Sequence, residues 1–380
     1  MRPRVALALY YFALLGALGF FWPFLAAHLS GLGLQPWEIG AISALYPLGT
    51  LVAPPLAGLC ADLLRARVWL LRALTAATAI AFAAFVHFGG TRPALVAAVA
   101  TFALFRAPLS PMADAAAVEH ARRHGGSYGA VRLWGSVGFL LAALAGGLLL
   151  DRSGSHVVML AALAALLAAA VAVWAVPAPP PRAERGALRA AGRLLASGDF
   201  WLFLATVALG QVAHSAYDSF FSLHLARLGC GGRFTGLAWA VGVVAEIGLL
   251  AVSGRLIGRF GGARLLALAF AVGAARWLLL AEVRHPVLIL ALQPLHAVSF
   301  ALYYVAGVTL TREQASEETQ TAAQGLFSAA FALGGVVGMP LAGRLFERLG
   351  SRAMFGTAAA VAGMACACAL LWAARRRPAT

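Results

Sequence analysis

Six ionisable side chains interrupt the apolar stretches of this 380-residue chain: Arg106, His214, Asp218, Glu246, Arg276 and His296. A charge at the centre of a bilayer costs about 2.5–3.5 kcal/mol, so membrane proteins retain such residues where they pair or face water. A carboxylate or imidazole that changes partner also changes its proton affinity. The set therefore predicts a site that holds a solute and moves protons.

Spacing places several of these side chains on shared helix faces. Residues three or four apart lie on one side of a helix, as do Gln211, His214, Tyr217 and Asp218, and again Gln293, His296 and Ser299. The residues predicted to bind solute are Arg106, Gln211, His214, Tyr217, Gln293 and His296. Those predicted to couple protons are Asp218, Glu246, Arg276 and His296. The alternative is an ion-pair network that only fixes helix packing, although hydrophobic packing would do so at lower desolvation cost.

Arg106 is the one charge deep in its apolar stretch. The planar guanidinium binds a carboxylate at two points, so an unpaired arginine lining a cavity suits an anionic solute. Alternatively, Arg106 extends to the membrane surface or pairs with Asp114, two turns farther along.

The elements that must position these residues are membrane helices. Hydrophobic residues make up 62% of the chain and charged residues 11%, and the mean hydropathy is +0.85, which excludes an ordinary soluble domain with about 25% charged residues. Stretches of about 20 apolar residues, each long enough to span a bilayer, recur twelve times. Their approximate bounds are 5–27, 37–59, 68–88, 93–117, 131–150, 157–176, 200–225, 234–254, 264–283, 287–310, 323–345 and 353–373.

The net charge of +15 comes from 29 basic residues, all of them arginine. Many lie in alternate connections, and basic residues concentrate on the cytoplasmic side. Both termini and the central connection are therefore expected in the cytoplasm, and a nucleic-acid partner is not expected. Neither the four cysteines nor any other spacing indicates a metal site, a cofactor or an enzyme.

A shift of 196 positions relates the two halves of the chain. It carries His28 to His224, Gly33 to Gly229, Gly154 to Gly350 and Asp151 to Glu347. The chain is therefore predicted to be two six-helix bundles of the same orientation. The predicted domains are an N-terminal bundle (1–176), a cytoplasmic linker (177–199) and a C-terminal bundle (200–380).

The same shift moves the charges of the second half onto uncharged residues of the first. Glu246 falls on Thr50 and Arg276 on Ile80. Because the first half is built without these charges, the polar set of the second half is interpreted as added for chemistry.

Some polar residues near predicted helix ends are candidates for gating. Asp62 and the arginines after it form a turn whose contacts can lock neighbouring helix ends in one state. An ordinary helix exit has the same pattern, and Arg132 could equally be a cytoplasmic anchor. The predicted gating residues are Asp62, Arg65, Arg67, Asp114 and Arg132.

Several short segments carry a resemblance to a known family. They are Asp114-Ala115, Tyr128-Gly129, the run from Val131 to Val137, Gln211 with the run from Ala213 to Tyr217, the run from Gly242 to Glu246, Arg276-Trp277, Gln293 and Leu295-His296. With the twelve-helix plan, the chain resembles the major facilitator superfamily, and within it the phenylpropionate/cinnamate permease branch, near the nucleoside and lactose proton symporters.

The resemblance implies a role for three residues. In lactose-transporting members, a glutamate, an arginine and a histidine on helices eight, nine and ten act in sugar binding and proton coupling, and Glu246, Arg276 and His296 stand at similar places. A further acid one turn beyond the histidine is replaced here by Ser299 and Phe300. The turn after Asp62 also departs from the family pattern, with Leu63-Leu64 where a basic and a small residue are common.

The sequence thus predicts an all-α integral membrane protein, a monomer, that works by alternating access. The expected function is proton-coupled uptake of a small organic solute, either an aromatic carboxylate or a sugar or nucleoside. The expected surroundings are the lipid of a bacterial inner (plasma) membrane. The alternatives are a drug or metabolite exporter of the same fold and a membrane receptor.

Overall fold

The computed structural model describes residues 3–64, 66–88, 91–125, 127–177, 192, 194, 196–316 and 318–375, apart from the side chains of Asp62, Leu64 and Phe88. Over these ranges the backbone forms helices and turns and contains no strand.

Helices of the first sequence half are long and mostly apolar. They are α1 (Pro3–Phe21), a 3₁₀ turn (Trp22–Phe24), α2 (Leu25–Gly31), α3 (Pro36–Ser43), α4 (Leu45–Leu64), α5 (Arg67–Phe88), α6 (Arg92–Arg106), α7 (Leu109–His124), α8 (Tyr128–Ser153), α9 (Ser155–Ala172) and a second 3₁₀ turn (Val173–Ala175). Those of the second half are α10 (Gly198–Arg227), α11 (Gly232–Phe260), α12 (Gly262–Glu282), α13 (Pro286–Ala291), a π-helix (Ala297–Leu302), α14 (Tyr303–Glu313) and α15 (Gln320–Arg375).

The described residues contain ten helices long and apolar enough to cross a membrane. The last of these, α15, is 56 residues long and is broken at Gly350, so it supplies two spans. The segment from α13 to α14 supplies one more. The predicted fold class is confirmed: over the described residues the protein is all-α and integral to the membrane, with twelve spanning helices in two six-helix bundles.

The chain packs as two compact units. Unit 1 contains Met1–Leu34, Leu45–Ala183 and Leu225–Ala240, and unit 2 contains Gln35–Ala44, Glu184–His224 and Val241–Thr380. Residues 35–44 thus pack with the second half of the sequence, and residues 225–240 pack with the first. Most of the predicted linker lies outside the described residues, and the sequence-based domain bounds stay a prediction.

Each unit has an aromatic core. In unit 1 the ring of Phe21 lies 5.2 Å from that of Phe102 and 5.6 Å from that of Phe82. In unit 2 the rings of Phe203 and Trp372 are 5.4 Å apart, and both are buried. Because lipid tails are as apolar as these side chains, close packing rather than transfer from water holds such helices together.

The repeat is visible in the backbone at four glycines. Gly33 and Gly229 have φ of +82° and +77°, and Gly154 and Gly350 have φ of +83° and +82°. These values favour glycine because a Cβ would meet the backbone. Each pair is related by the shift of 196, so equivalent helices end in the same conformation.

Candidate functional site

Arg276 of α12 is the centre of a polar cluster in unit 2. Its side chain is fully buried, and its Nη2 donates to Gln293 Oε1 at 3.0 Å. Its Nη1 lies 3.1 Å from His296 Nδ1 and 3.3 Å from Ser299 Oγ. The guanidinium carbon lies 4.4 Å from the ring centroid of Tyr217, a cation–π distance. A buried charge needs this many partners to offset its desolvation.

Glu246 of α11 extends the cluster toward a less buried region. Its Oε1 lies 2.7 Å from His296 Nε2, and its side chain is 19% exposed while that of His296 is 6% exposed. One imidazole therefore joins the carboxylate to Arg276. Among Glu246, His296 and Arg276, the carboxylate is the most exposed group.

Gln293 connects the cluster to α10. Its Nε2 donates to the carbonyl oxygen of Ile289 at 2.7 Å, which leaves Oε1 to accept from Arg276 and, at 3.1 Å, from the Tyr217 hydroxyl. Both the nitrogen and the oxygen of the side-chain amide are thus hydrogen-bonded.

A second acid–imidazole pair lies on α10. His214 Nε2 is 3.5 Å from Asp218 Oδ1, and Gln211 Nε2 donates to Asp218 Oδ2 at 3.1 Å. The Asp218 side chain is 13% exposed. The ring of His214 lies 5.1 Å from that of His296, so the two pairs are neighbours.

The chain is irregular where it positions His296. Pro294 has no backbone N–H and cannot continue an α-helix, and the π-helix Ala297–Leu302 follows. Such segments occur frequently at functional sites. The prediction of one regular helix over 287–310 was wrong, because the structure has a turn and a π-helix there. This irregular segment brings Gln293, His296 and Ser299 to Arg276.

Aromatic rings line the cluster. The His214 ring lies 5.3 Å from that of Trp277 and 4.8 Å from that of Phe300, and Phe300 stacks on His296 at 5.4 Å. The sequence did not predict a role in the site for Trp277 or Phe300. Trp277 directly follows Arg276, and Phe300 lies one turn beyond His296.

Arg106 lies in unit 1, at the end of α6, and is 3% exposed. Its Nη1 donates to Ser110 Oγ at 3.3 Å, and its Nε has no hydrogen-bond partner among the described residues. Asp114, the alternative partner, accepts from the hydroxyls of Tyr11 at 2.5 Å and Tyr128 at 3.0 Å. Arg106 is thus a buried cation whose donors are not all used.

Two of the predicted gating residues, Asp114 and Arg132, contact the same side chain, that of Tyr11. Arg132 lies with its guanidinium 5.5 Å from the ring centroid of Tyr11, beside Asp114. Arg67 begins α5. Arg65 and the side chain of Asp62 lie outside the described residues.

Two carboxylates that sequence reasoning did not single out as site residues bind helix ends. Asp151 accepts from the backbone N–H of Gly232 at 2.5 Å and of Arg233 at 2.9 Å, within unit 1. Glu347 accepts from the N–H of Trp37 at 3.0 Å, within unit 2. The sequence contained a signal for these two contacts, because the shift of 196 relates Asp151 to Glu347 and Trp37 to Arg233.

Similarity to known proteins identifies a membrane transporter rather than an enzyme. A sequence profile of the MFS_1 like family matches residues 4–357, and the chain belongs to that family of the major facilitator superfamily.

Relatives and solved structures agree with this assignment. The chain is 34% identical to maltose permease of Geobacillus stearothermophilus over 86% of its own length and 83% of the relative's. It is 30% identical to the probable 3-phenylpropionic acid transporter of Escherichia coli (strain K12) over 90% and 91%. The fold matches a mutant form of the nucleoside transporter NupG, with a TM-score of 0.86, 16% identity and coverage of 99% and 100%. It also matches the POT family transporter PepTSo, with a TM-score of 0.79, 11% identity and coverage of 98% of each chain.

Proposed function

We propose that the protein takes up a small organic solute together with protons, by alternating access, across a bacterial inner membrane. The observation that carries the proposal is the unit 2 cluster, in which Glu246 and Asp218 each lie beside a histidine. Ionisable groups at membrane depth are costly and mark solute or proton pathways. A packing role alone would not need two titratable pairs beside one arginine.

An aromatic carboxylate is the first candidate solute. Both Nη atoms of Arg276 donate to protein groups, and its Nε, like that of Arg106, has no partner among the described residues. Arg106 is also buried, but it donates to Ser110 alone among those residues, and the guanidinium suits a carboxylate. The likeness to the 3-phenylpropionic acid transporter supports this assignment.

A sugar is the second candidate, and the acceptors of unit 2 favour it. The carboxylates of Glu246 and Asp218 and the Oε1 atom of Gln211, which is buried and has no partner among the described residues, can accept hydrogen bonds from hydroxyl groups. The likeness to maltose permease supports this reading.

The orientation, the oligomeric state and the gate are also part of the proposal. The arginine distribution supports cytoplasmic termini, and the protein is proposed to act as a monomer in lipid. The turn with Asp62, Arg65 and Arg67, together with Asp114 and Arg132, stays the predicted gate.

The experiment uses purified protein in liposomes with a pH-sensitive dye outside. Addition of 3-phenylpropionate or maltose is expected to make the external medium more alkaline, because the solute enters with protons. A solute that is taken up without any pH change contradicts proton coupling. Extrusion of apolar compounds, with no uptake of either solute, would instead identify an exporter, and binding without transport would identify a receptor.

A further inference from the structure

The hydrogen bonds around His296 determine which of its nitrogens carries a proton. A guanidinium has donors and no acceptor, so the 3.1 Å contact between Arg276 Nη1 and His296 Nδ1 requires that Nδ1 bear no hydrogen. A neutral imidazole then carries its hydrogen on Nε2. That nitrogen lies 2.7 Å from Glu246 Oε1 and donates to it.

Arg276 is held in the position that imposes this arrangement. Gln293 accepts from Nη2, Ser299 lies by Nη1, and the guanidinium carbon is 4.4 Å from the Tyr217 ring and 4.6 Å from the Trp277 ring. The side chain is 0% exposed. The arginine therefore cannot turn away from Nδ1 without breaking several contacts at once.

We propose that Arg276 is a positioning residue that keeps His296 neutral, with its hydrogen on Nε2, so that Glu246 rather than His296 holds the transported proton. This inference rests on the proposed proton coupling and specifies its carrier. The proton adds to the second carboxylate oxygen of Glu246, forming the neutral acid, while Oε1 continues to accept from Nε2–H. It leaves by the reverse step.

Other charged and titratable groups around His296 fit this assignment. His214 and Tyr217 face it from α10, with ring centroids 5.1 and 5.0 Å away, Arg276 faces it from α12 and Glu246 from α11. Asp218 lies beside His214, on α10. A second proton on His296 would place a cation against Arg276, whereas a proton on Glu246 places none.

The direct test is nitrogen NMR of the transporter labelled with ¹⁵N-histidine in lipid nanodiscs. The chain has nine histidines, and the His296 signals are those lost in His296→Gln. We expect Nδ1 unprotonated and Nε2 protonated between about pH 5.5 and 8, the range in which a free histidine changes charge. A doubly protonated His296 in that range would overturn the proposal.

Arg276→Met tests the positioning role, because methionine fills the space and donates nothing to Nδ1. In this variant His296 should gain its second proton as the pH falls through that range. An unchanged, non-titrating His296 would show that the arginine does not set its state. If the variant does not fold, the wild-type spectrum still decides whether His296 is held neutral.

Transport by His296→Gln gives an independent readout. Glutamine places an amide N–H₂ near the position of Nε2 but cannot titrate. We expect slower uptake, because His296 is also a predicted solute-binding residue, with an unchanged number of protons moved per solute. Solute uptake without protons would make His296 the carrier. If wild-type protein moves no protons at all, the proposed function fails while the NMR result stands on its own.

Discussion

Arg276 and Arg106 are both buried, but their guanidinium groups differ in what they can still bind. Arg276 donates to Gln293, Ser299 and His296. Arg106 donates to Ser110 alone among the described residues, and the Nε of each arginine has no partner there. Arg106 therefore stays the proposed partner of an anionic solute.

Arg106→Ala is expected to raise the half-saturation constant for 3-phenylpropionate about 10- to 160-fold. A hydrogen bond to a charged group contributes about 1.5–3 kcal/mol, which corresponds to that range. The measurement is uptake of labelled solute into liposomes. Arg152→Ala, an exposed arginine at the end of α8, is the matched control and should leave the constant unchanged. An unchanged constant in Arg106→Ala would remove this residue from solute binding.

The sequence predicted which residues form the unit 2 cluster but not how they pair. Helical spacing placed Gln293, His296 and Ser299 on one face, and all three contact Arg276. Which acid faces which histidine depends on side-chain rotamers and on the crossing of α10, α11 and α12. Spacing within one helix carries no information about either.

At the scale of elements, carboxylates hold helix N-termini. Asp151 binds the first N–H groups of α11, and Glu347 binds one at the start of α3. The N-terminus of a helix carries a partial positive charge and unpaired N–H groups, so a carboxylate there is stabilising.

Asp151→Ala should lower the free energy of unfolding by about 0.5–2 kcal/mol, the usual cost of losing an N-terminal cap. Thermal unfolding in detergent would report it as a lower midpoint. Glu282→Gln is the control, because Glu282 and its partner Arg352 are exposed and such pairs contribute about 0–1 kcal/mol. Equal midpoints for Asp151→Ala and wild type would show that the cap adds nothing.

Two glycines of α11 should respond differently to alanine. A Cβ on Gly236 would overlap the backbone carbonyl oxygen of Ala143, whereas a Cβ on Gly248 meets no atom within 4 Å. Gly248→Ala should leave the protein as stable or raise its stability by up to about 1 kcal/mol, through helix propensity. Gly236→Ala should lower it by about 1–3 kcal/mol through overpacking. The same thermal assay applies, and similar midpoints for both variants would contradict the close helix contact.

The irregular segment before α14 was not predicted from the sequence. Pro294 is a visible signal that an α-helix cannot continue unbroken. The π-helix after it has no comparable sequence signal, because it depends on how the neighbouring helices pack. The sequence therefore located the segment and its polar residues but described it as one regular helix.

At the scale of the whole molecule, hydropathy and the internal repeat carried most of the prediction. Hydropathy gave the twelve spans, and the repeat related the paired glycines that end equivalent helices. It did not predict that residues 35–44 and 225–240 pack in the unit of the opposite sequence half. Apolar periodicity identifies a buried face and does not name the helix that covers it.

Glu246→Gln tests the account most directly, because glutamine has nearly the shape of glutamate and cannot titrate. In liposomes with an imposed proton gradient, the variant should fail to accumulate solute, while exchange of labelled for unlabelled solute across the membrane continues. Glu282→Gln should accumulate solute as the wild type does. Accumulation by Glu246→Gln with alkalinisation of the medium would contradict the account and move the coupling acid to Asp218.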